Sequence, residues 1–277
     1  VTSAWANDSR TPHCHSKLKE STTYFNNLLP IPQSLLFHAM TQKIVFALLW
    51  IGFSLYAFVF APPAQPDTFD LIIQLSSGQW EGINPAIVAL FNLMGIWPMV
   101  YACLALIDGT GQKIPAWPFV TASFAVGAFA LLPYLALRDP NPTFTENKTE
   151  DKTEDKTEDK TGDKTKLISL LDSPWTGRAL ALGSAVLLSY GLLNGHWADF
   201  AQQWQTSQFI NVMSLDFCML CAVVSPLVKS DMAKRDLNSP VLFWAAVLIP
   251  LLGVVFYLSV RPPLPAGDRS TAISAEA

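Results

Sequence analysis

Few residues in this sequence have the type and spacing to do chemistry, and each also has a plainer reading. Cys218-Met219-Leu220-Cys221 has the spacing of a redox pair, with both thiols on one helix face. A reactive pair needs a thiolate, which hydrocarbon disfavours and a basic neighbour must support. No such neighbour lies in the surrounding apolar run, and nearby Asp216 opposes ionisation, so both are read as structural thiols. His13-Cys14-His15 has metal-binding residue types but no fourth ligand nearby. His196 and Asp199 suit either a small interfacial site or an ordinary polar loop. Asn92, the most deeply placed amide, is the candidate polar-path or helix-contact residue. No catalytic, cofactor-binding or metal-ligating residue is assigned, and no cofactor is expected.

The elements that must position these residues are apolar. The 277 residues are 51% hydrophobic and 14% charged, too apolar for an ordinary soluble protein of this length. A net charge of −4 without a basic stripe gives no reason to expect a nucleic-acid partner. Crossing a bilayer takes roughly 20 apolar residues. Six stretches approach that length: 44–61, 85–107, 117–137, 179–193, 209–228 and 240–260. They must be helical, because lipid offers the backbone no hydrogen-bond partners. None is read as carrying Asp, Glu, Lys, Arg or His at its centre. The expected fold is an all-α membrane protein of about six transmembrane helices.

The division along the chain follows from these stretches. Residues 1–39 are polar and aperiodic, either a disordered tail or an extension upstream of a start at Met40. Residues 40–138 make a first three-helix half and 178–262 a second, with 263–277 as a C-terminal tail. Between the halves, 139–177 contains tandem Lys-Thr-Glu-Asp repeats. Like charges stack at i+4 there, which predicts disorder. The first apolar stretch imitates a secretory signal, but Pro62 follows its cleavage-like end and the helix is expected to be retained.

The halves resemble each other. Asp108, Pro118 and Arg138 recur at nearly the same intervals as Asp231, Pro240 and Arg261, and each half has a loop rich in Trp and Gln. This is the spacing of an internal repeat, or the generic placement of proline at helix ends. Two three-helix halves would be inverted, as in many transporters. Lys43, Lys113, Arg261 and Arg269 would then oppose Arg138, Lys166, Arg178, Lys229, Lys234 and Arg235, leaving orientation open. Pro98, Pro133, Pro226 and Pro250 predict kinks, and Ala181/Ala185/Ser189 and Ser123/Gly127 predict close helix contacts. A short amphipathic helix is expected near 67–75, lying in the interface.

The segment from Phe91 to Gly109 (FNLMGIWPMVYACLALIDG), with the LSVRPP run ending at Pro263, resembles a family of multi-pass membrane proteins of cyanobacteria and plant chloroplasts. The resemblance covers both halves but neither residues 1–39 nor the charged repeats. It implies a photosynthetic organism and a thylakoid, plastid or plasma membrane, and it carries over no site residue. The expected role is non-enzymatic, an accessory or assembly factor whose partners are the lipid bilayer and other integral membrane proteins. The alternative is a small-solute transporter built from inverted three-helix repeats.

Overall fold

The computed structural model describes residues 33–109, 112–139 and 167–264, with side chains from Met40 onward. The His13-Cys14-His15 cluster, the charged repeats and the C-terminal tail beyond Leu264 lie outside the described residues. Two units are distinguished, Val1–Thr41 and Gln42–Ala277. The first contributes only the opening of helix α1 to what is described, and the architecture below is that of the second.

Among the described residues every regular element is helical. Helix α1 (Gln33–Leu55) continues through one π-helical turn, Tyr56–Phe60. That turn frees the Ala57 carbonyl, which accepts a hydrogen bond from Gln208 Nε2 at 2.8 Å. A short helix α2 (Thr68–Ser77) follows where an amphipathic interfacial helix was expected, ending on Gly78 in the left-handed conformation. Helix α3 (Pro85–Tyr101) starts on an Asn84 cap and runs into a second π-helical turn, Ala102–Leu106. Pro98 lies just upstream and lacks the N–H that would bond one turn back.

The third apolar stretch is two helices, α4 (Trp117–Val126) and α5 (Ala128–Leu137), broken at Gly127. The break is a reversal. Asp108 ends the α3 segment and its neighbour Gly109 approaches Ala116, at the start of α4. Yet Arg138, just past the end of α5, lies 2.8 Å from Asp108. A straight helix over this stretch would separate its ends by about 31 Å. Gly127 makes the reversal with φ 53° and ψ −127°, a conformation open only to glycine.

The second half repeats the plan. Helix α6 (Pro174–Asn194) is followed by short α7 (Trp197–Thr206), then α8 (Gln208–Val223) and α9 (Ser225–Lys234), which together form one long interrupted helix. Pro226 marks the interruption, in the first turn of α9. The sixth stretch again doubles back, as α10 (Pro240–Leu248) and α11 (Leu252–Val260). Leu251, at φ 57°, and Pro250 form its tip. Arg261, beyond α11, reaches Asp231 at 3.0 Å, and the Arg235 guanidinium bonds the Pro262 carbonyl. Gly253 lets the two arms touch: a β-carbon there would lie 2.1 Å from the Ala245 carbonyl oxygen.

Among the described residues four helical segments, where six were expected, are long and apolar enough to cross a membrane: Met40–Phe60, Pro85–Leu106, Pro174–Asn194 and Gln208–Lys234. Each half thus contributes two long helices and one returning hairpin among the described residues. Each half places a long helix against the other half. The α1 segment meets the first hairpin at Phe129, where Phe53 stacks with ring centroids 4.4 Å apart, and meets α8 through Tyr56 and Asn211. In the same way α6 meets the second hairpin at Leu258, where Gly177 approaches the backbone, and meets α3 where Gly191 approaches Ala89. Close approach on α6 uses Gly177, Ser184 and Gly191; Ala185 and Ser189 of the expected stripe are exposed.

Candidate functional site

The polar side chains concentrate at the hairpins. At the first, Arg138 Nη1 forms an ion pair with Asp108 Oδ2 and Arg138 Nη2 donates to Ser230 Oγ at 2.9 Å. Lys234 joins from the other half, its Nζ 3.4 Å from Asp108 Oδ1 and donating to the Ile107 carbonyl at 3.1 Å. At the second hairpin, Asp231 accepts from Arg235 Nε (2.9 Å), Arg235 Nη2 (3.1 Å), Arg261 Nη1 (3.0 Å) and the Tyr257 hydroxyl (2.6 Å). Arg235 Nη2 also donates to Asp172 Oδ1 at 2.7 Å, and Asp172 Oδ2 accepts from the Leu264 N–H. Arg261 further donates to the carbonyls of Leu171 and Cys103, the latter in the π-helical turn below Pro98. Six of the seven ionised residues are buried, and Lys234 is half-buried with its side chain covered.

These are two copies of one clasp. In each, an Asp lies in the last turns of the second long helix, an Arg ends the hairpin, and a buried Tyr stands four residues before that Arg; Tyr257 donates to Asp231, whereas the Tyr134 hydroxyl is buried without a hydrogen-bond partner. The physical reason is the hairpin itself. A helical arm that turns back within an apolar layer must be held where it leaves, and an Asp–Arg pair closes the hairpin's mouth. Two carboxylates and two guanidiniums balance in the second clasp. Such pairs add little net stability over well-packed apolar residues, but breaking one is costly.

The tips raise a second problem, since the first N–H groups of each returning helix have no partner in lipid. At the first tip Asp216, in α8, accepts the Ala128 N–H at 2.8 Å, and a β-carbon on Gly127 would lie 1.8 Å from its Oδ2. The Phe129 carbonyl accepts Trp50 Nε1 at 3.1 Å. Asp216 corrects the sequence reading that no span carries an internal ionisable residue. It is 6% exposed and lies well inside Gln208–Lys234. Its role there is to cap a helix that begins inside the layer.

Asn92 does not join these groups. It is half-buried, and its Nδ2 donates to the Val88 carbonyl of its own helix at 2.8 Å. The amides that link elements are Asn211, which accepts from the Tyr56 hydroxyl at 2.9 Å, and Asn84. Asn84 Nδ2 donates to the His196 carbonyl and to Asp199 Oδ2, both at 2.8 Å. His196 and Asp199 thus belong to a polar junction tying the α6–α7 turn to the start of α3. Cys103, Cys218 and Cys221 are free thiols. No group of three His, Cys, Asp or Glu arranged to hold a metal occurs among the described residues. Outside the buried clasps, the Lys43 ammonium bonds Asp139 and holds its carboxyl below the usual carboxylate range.

The tyrosines and the capping role of Asp216 were missed from sequence, although Tyr134 and Tyr257 stand at matching distances before Arg138 and Arg261. Fold and site together define a helical protein with, among the described residues, four membrane-length apolar helices, consistent with an integral membrane protein. Comparison with models of protein families, with curated proteins and with solved structures finds no match for this chain.

Proposed function

We propose that the chain is a polytopic membrane protein with a non-catalytic role, an accessory or assembly factor for a complex of other integral membrane proteins. The resemblance to cyanobacterial and chloroplast proteins suggests a photosynthetic membrane as its setting. The observation that carries the reading is the use made of the buried charges. Asp108, Arg138, Lys234, Asp172, Asp231, Arg235 and Arg261 are engaged with one another and with backbone carbonyls, closing the hairpins. Most of what remains outward along the middle of α6 and on α10 is apolar, with Leu193 83% and Val241 80% exposed, a surface for lipid and for other membrane helices. Purification in mild detergent followed by identification of associated proteins tests this. A discrete complex with other membrane proteins supports the role, and an isolated chain at 30.4 kDa counts against it.

One observation favours a second reading, a small-solute transporter. Asp216 is an ionisable group within a span and at a hairpin tip, the kind of position that marks solute or proton pathways. Liposome flux abolished by Asp216→Asn, with folding retained, would favour transport over the accessory role.

A further inference from the structure

We infer that the clasp end of the protein faces the cytoplasmic-type side, from which the chain is inserted, and that both Trp/Gln loops are translocated to the other side. This rests on the reading that the four long helices cross a membrane, and it follows from the two hairpins. Because each hairpin returns to the end it left, the turn at Lys113 and the turn at Lys229, Lys234 and Arg235 lie at one end of the unit. Lys234 touching Asp108 shows this directly. Lys43 bonds Asp139 at that same end, and Arg178 lies in the second turn of α6 where Gly177 meets Leu258. The two sets of cations that oppose each other in a six-span inverted arrangement therefore combine.

Among the described residues every Lys and Arg is then at the clasp end: Lys43, Lys113, Arg138, Arg178, Lys229, Lys234, Arg235 and Arg261. The opposite end consists of the loops 61–84 and 195–207, both fully described. They contain Asp67, Asp70, Glu81 and Asp199 but no Lys or Arg. Lys and Arg in short loops near helix ends set orientation, while Asp and Glu contribute little. The asymmetry here is complete. Aromatic side chains support the placement of both boundaries: Trp117 and Trp175 are exposed at the cationic end, with Arg178 over the Trp175 ring at 4.9 Å, and Trp80 and Trp197 are exposed at the other. The short helices α2 and α7 both belong to the translocated face.

The test is cysteine accessibility in the full chain, expressed in bacterial cells with Cys14, Cys103, Cys218 and Cys221 replaced by Ser. Lys113→Cys and Lys229→Cys probe the clasp end, and Gln79→Cys and Gln202→Cys probe the loops, all four being exposed positions. Two sites per face keep the result readable if one variant fails to accumulate. A membrane-impermeant maleimide is expected to label 79 and 202 in spheroplasts and to leave 113 and 229 unlabelled until the membrane is inverted. The mirror-image pattern overturns the orientation while leaving the hairpins intact. Positions 113 and 229 on opposite sides overturn it by restoring the inverted arrangement. Labelling of all four in spheroplasts overturns the four-crossing reading itself.

Discussion

Neutralising Asp231 should unfold this protein far more readily than neutralising a surface carboxylate of the same type. Asp231 is 2% exposed and takes four hydrogen bonds from Arg235, Arg261 and Tyr257, all within 3.1 Å. In Asp231→Asn the two buried guanidiniums keep one carboxylate between them, Asp172, at 2.7 Å from Arg235 and 3.9 Å from Arg261. Removing one member of a buried charge pair costs about 3–5 kcal/mol, or roughly two to three and a half decades in the unfolding equilibrium. Asp139, paired to Lys43 with its side chain 55% exposed, should cost at most about 1 kcal/mol when changed to Asn. Cys103 supplies the assay, being buried beside the clasp with its carbonyl bonded to Arg261. In detergent, with the other three cysteines replaced, its reaction with a fluorogenic maleimide reports opening. Because Arg261 and Asp231 share a network, the double variant Asp231→Asn/Arg261→Met should be less destabilised than the sum of the single changes. Equal midpoints for Asp231→Asn and Asp139→Asn would refute the claim that the clasp holds the hairpin.

The same thermal assay checks the other expectations. Gly127→Ala should cost about 3 kcal/mol or more, combining a forbidden backbone conformation with a β-carbon 1.8 Å from Asp216 Oδ2. Gly52→Ala, with open space around it, should be neutral or up to about 1 kcal/mol stabilising. Asp216→Asn keeps an acceptor for the Ala128 N–H and should be mild, whereas Asp216→Leu removes the cap and should cost about 1–3 kcal/mol. Lys43 lowers the Asp139 carboxyl below its ordinary value of 3.8, so the pair contributes above that value and its contribution fades as pH falls through the depressed one. The small difference in melting temperature between wild type and Asp139→Asn should therefore vanish in acid.

The helical, membrane-compatible character was legible because long apolar runs leave no other backbone solution. The matched intervals of Asp108 to Arg138 and Asp231 to Arg261 mark the residues that pair at the mouth of each hairpin. The path of the third and sixth runs was not legible. A run from 117 to 137 is long enough to cross once or to enter and return, and its hydropathy is the same in either case. What decides is Gly127 in one run and Pro250 with Leu251 in the other, together with an Arg at each exit that finds an Asp before each entrance. In the sequence Asp216 reads only as a charge opposing ionisation of Cys218 and Cys221, yet a helix beginning inside an apolar layer needs such a group as a cap. Asn92 drew attention as a deep amide, but with the Val88 carbonyl one turn away its donor is satisfied locally.

The central claim is that the third apolar run turns back, and a distance measurement tests it most directly. Spin labels at Lys113→Cys and Asp139→Cys flank α4 and α5 at exposed positions, beside the pair in which Gln112 Nε2 donates to the Asp139 carbonyl at 2.7 Å. Pulsed electron resonance in lipid should find the labels within about two helix diameters, roughly 20 Å. A distribution centred beyond about 31 Å, the length of a straight helix over the run, would contradict the hairpin and the membrane orientation inferred from it.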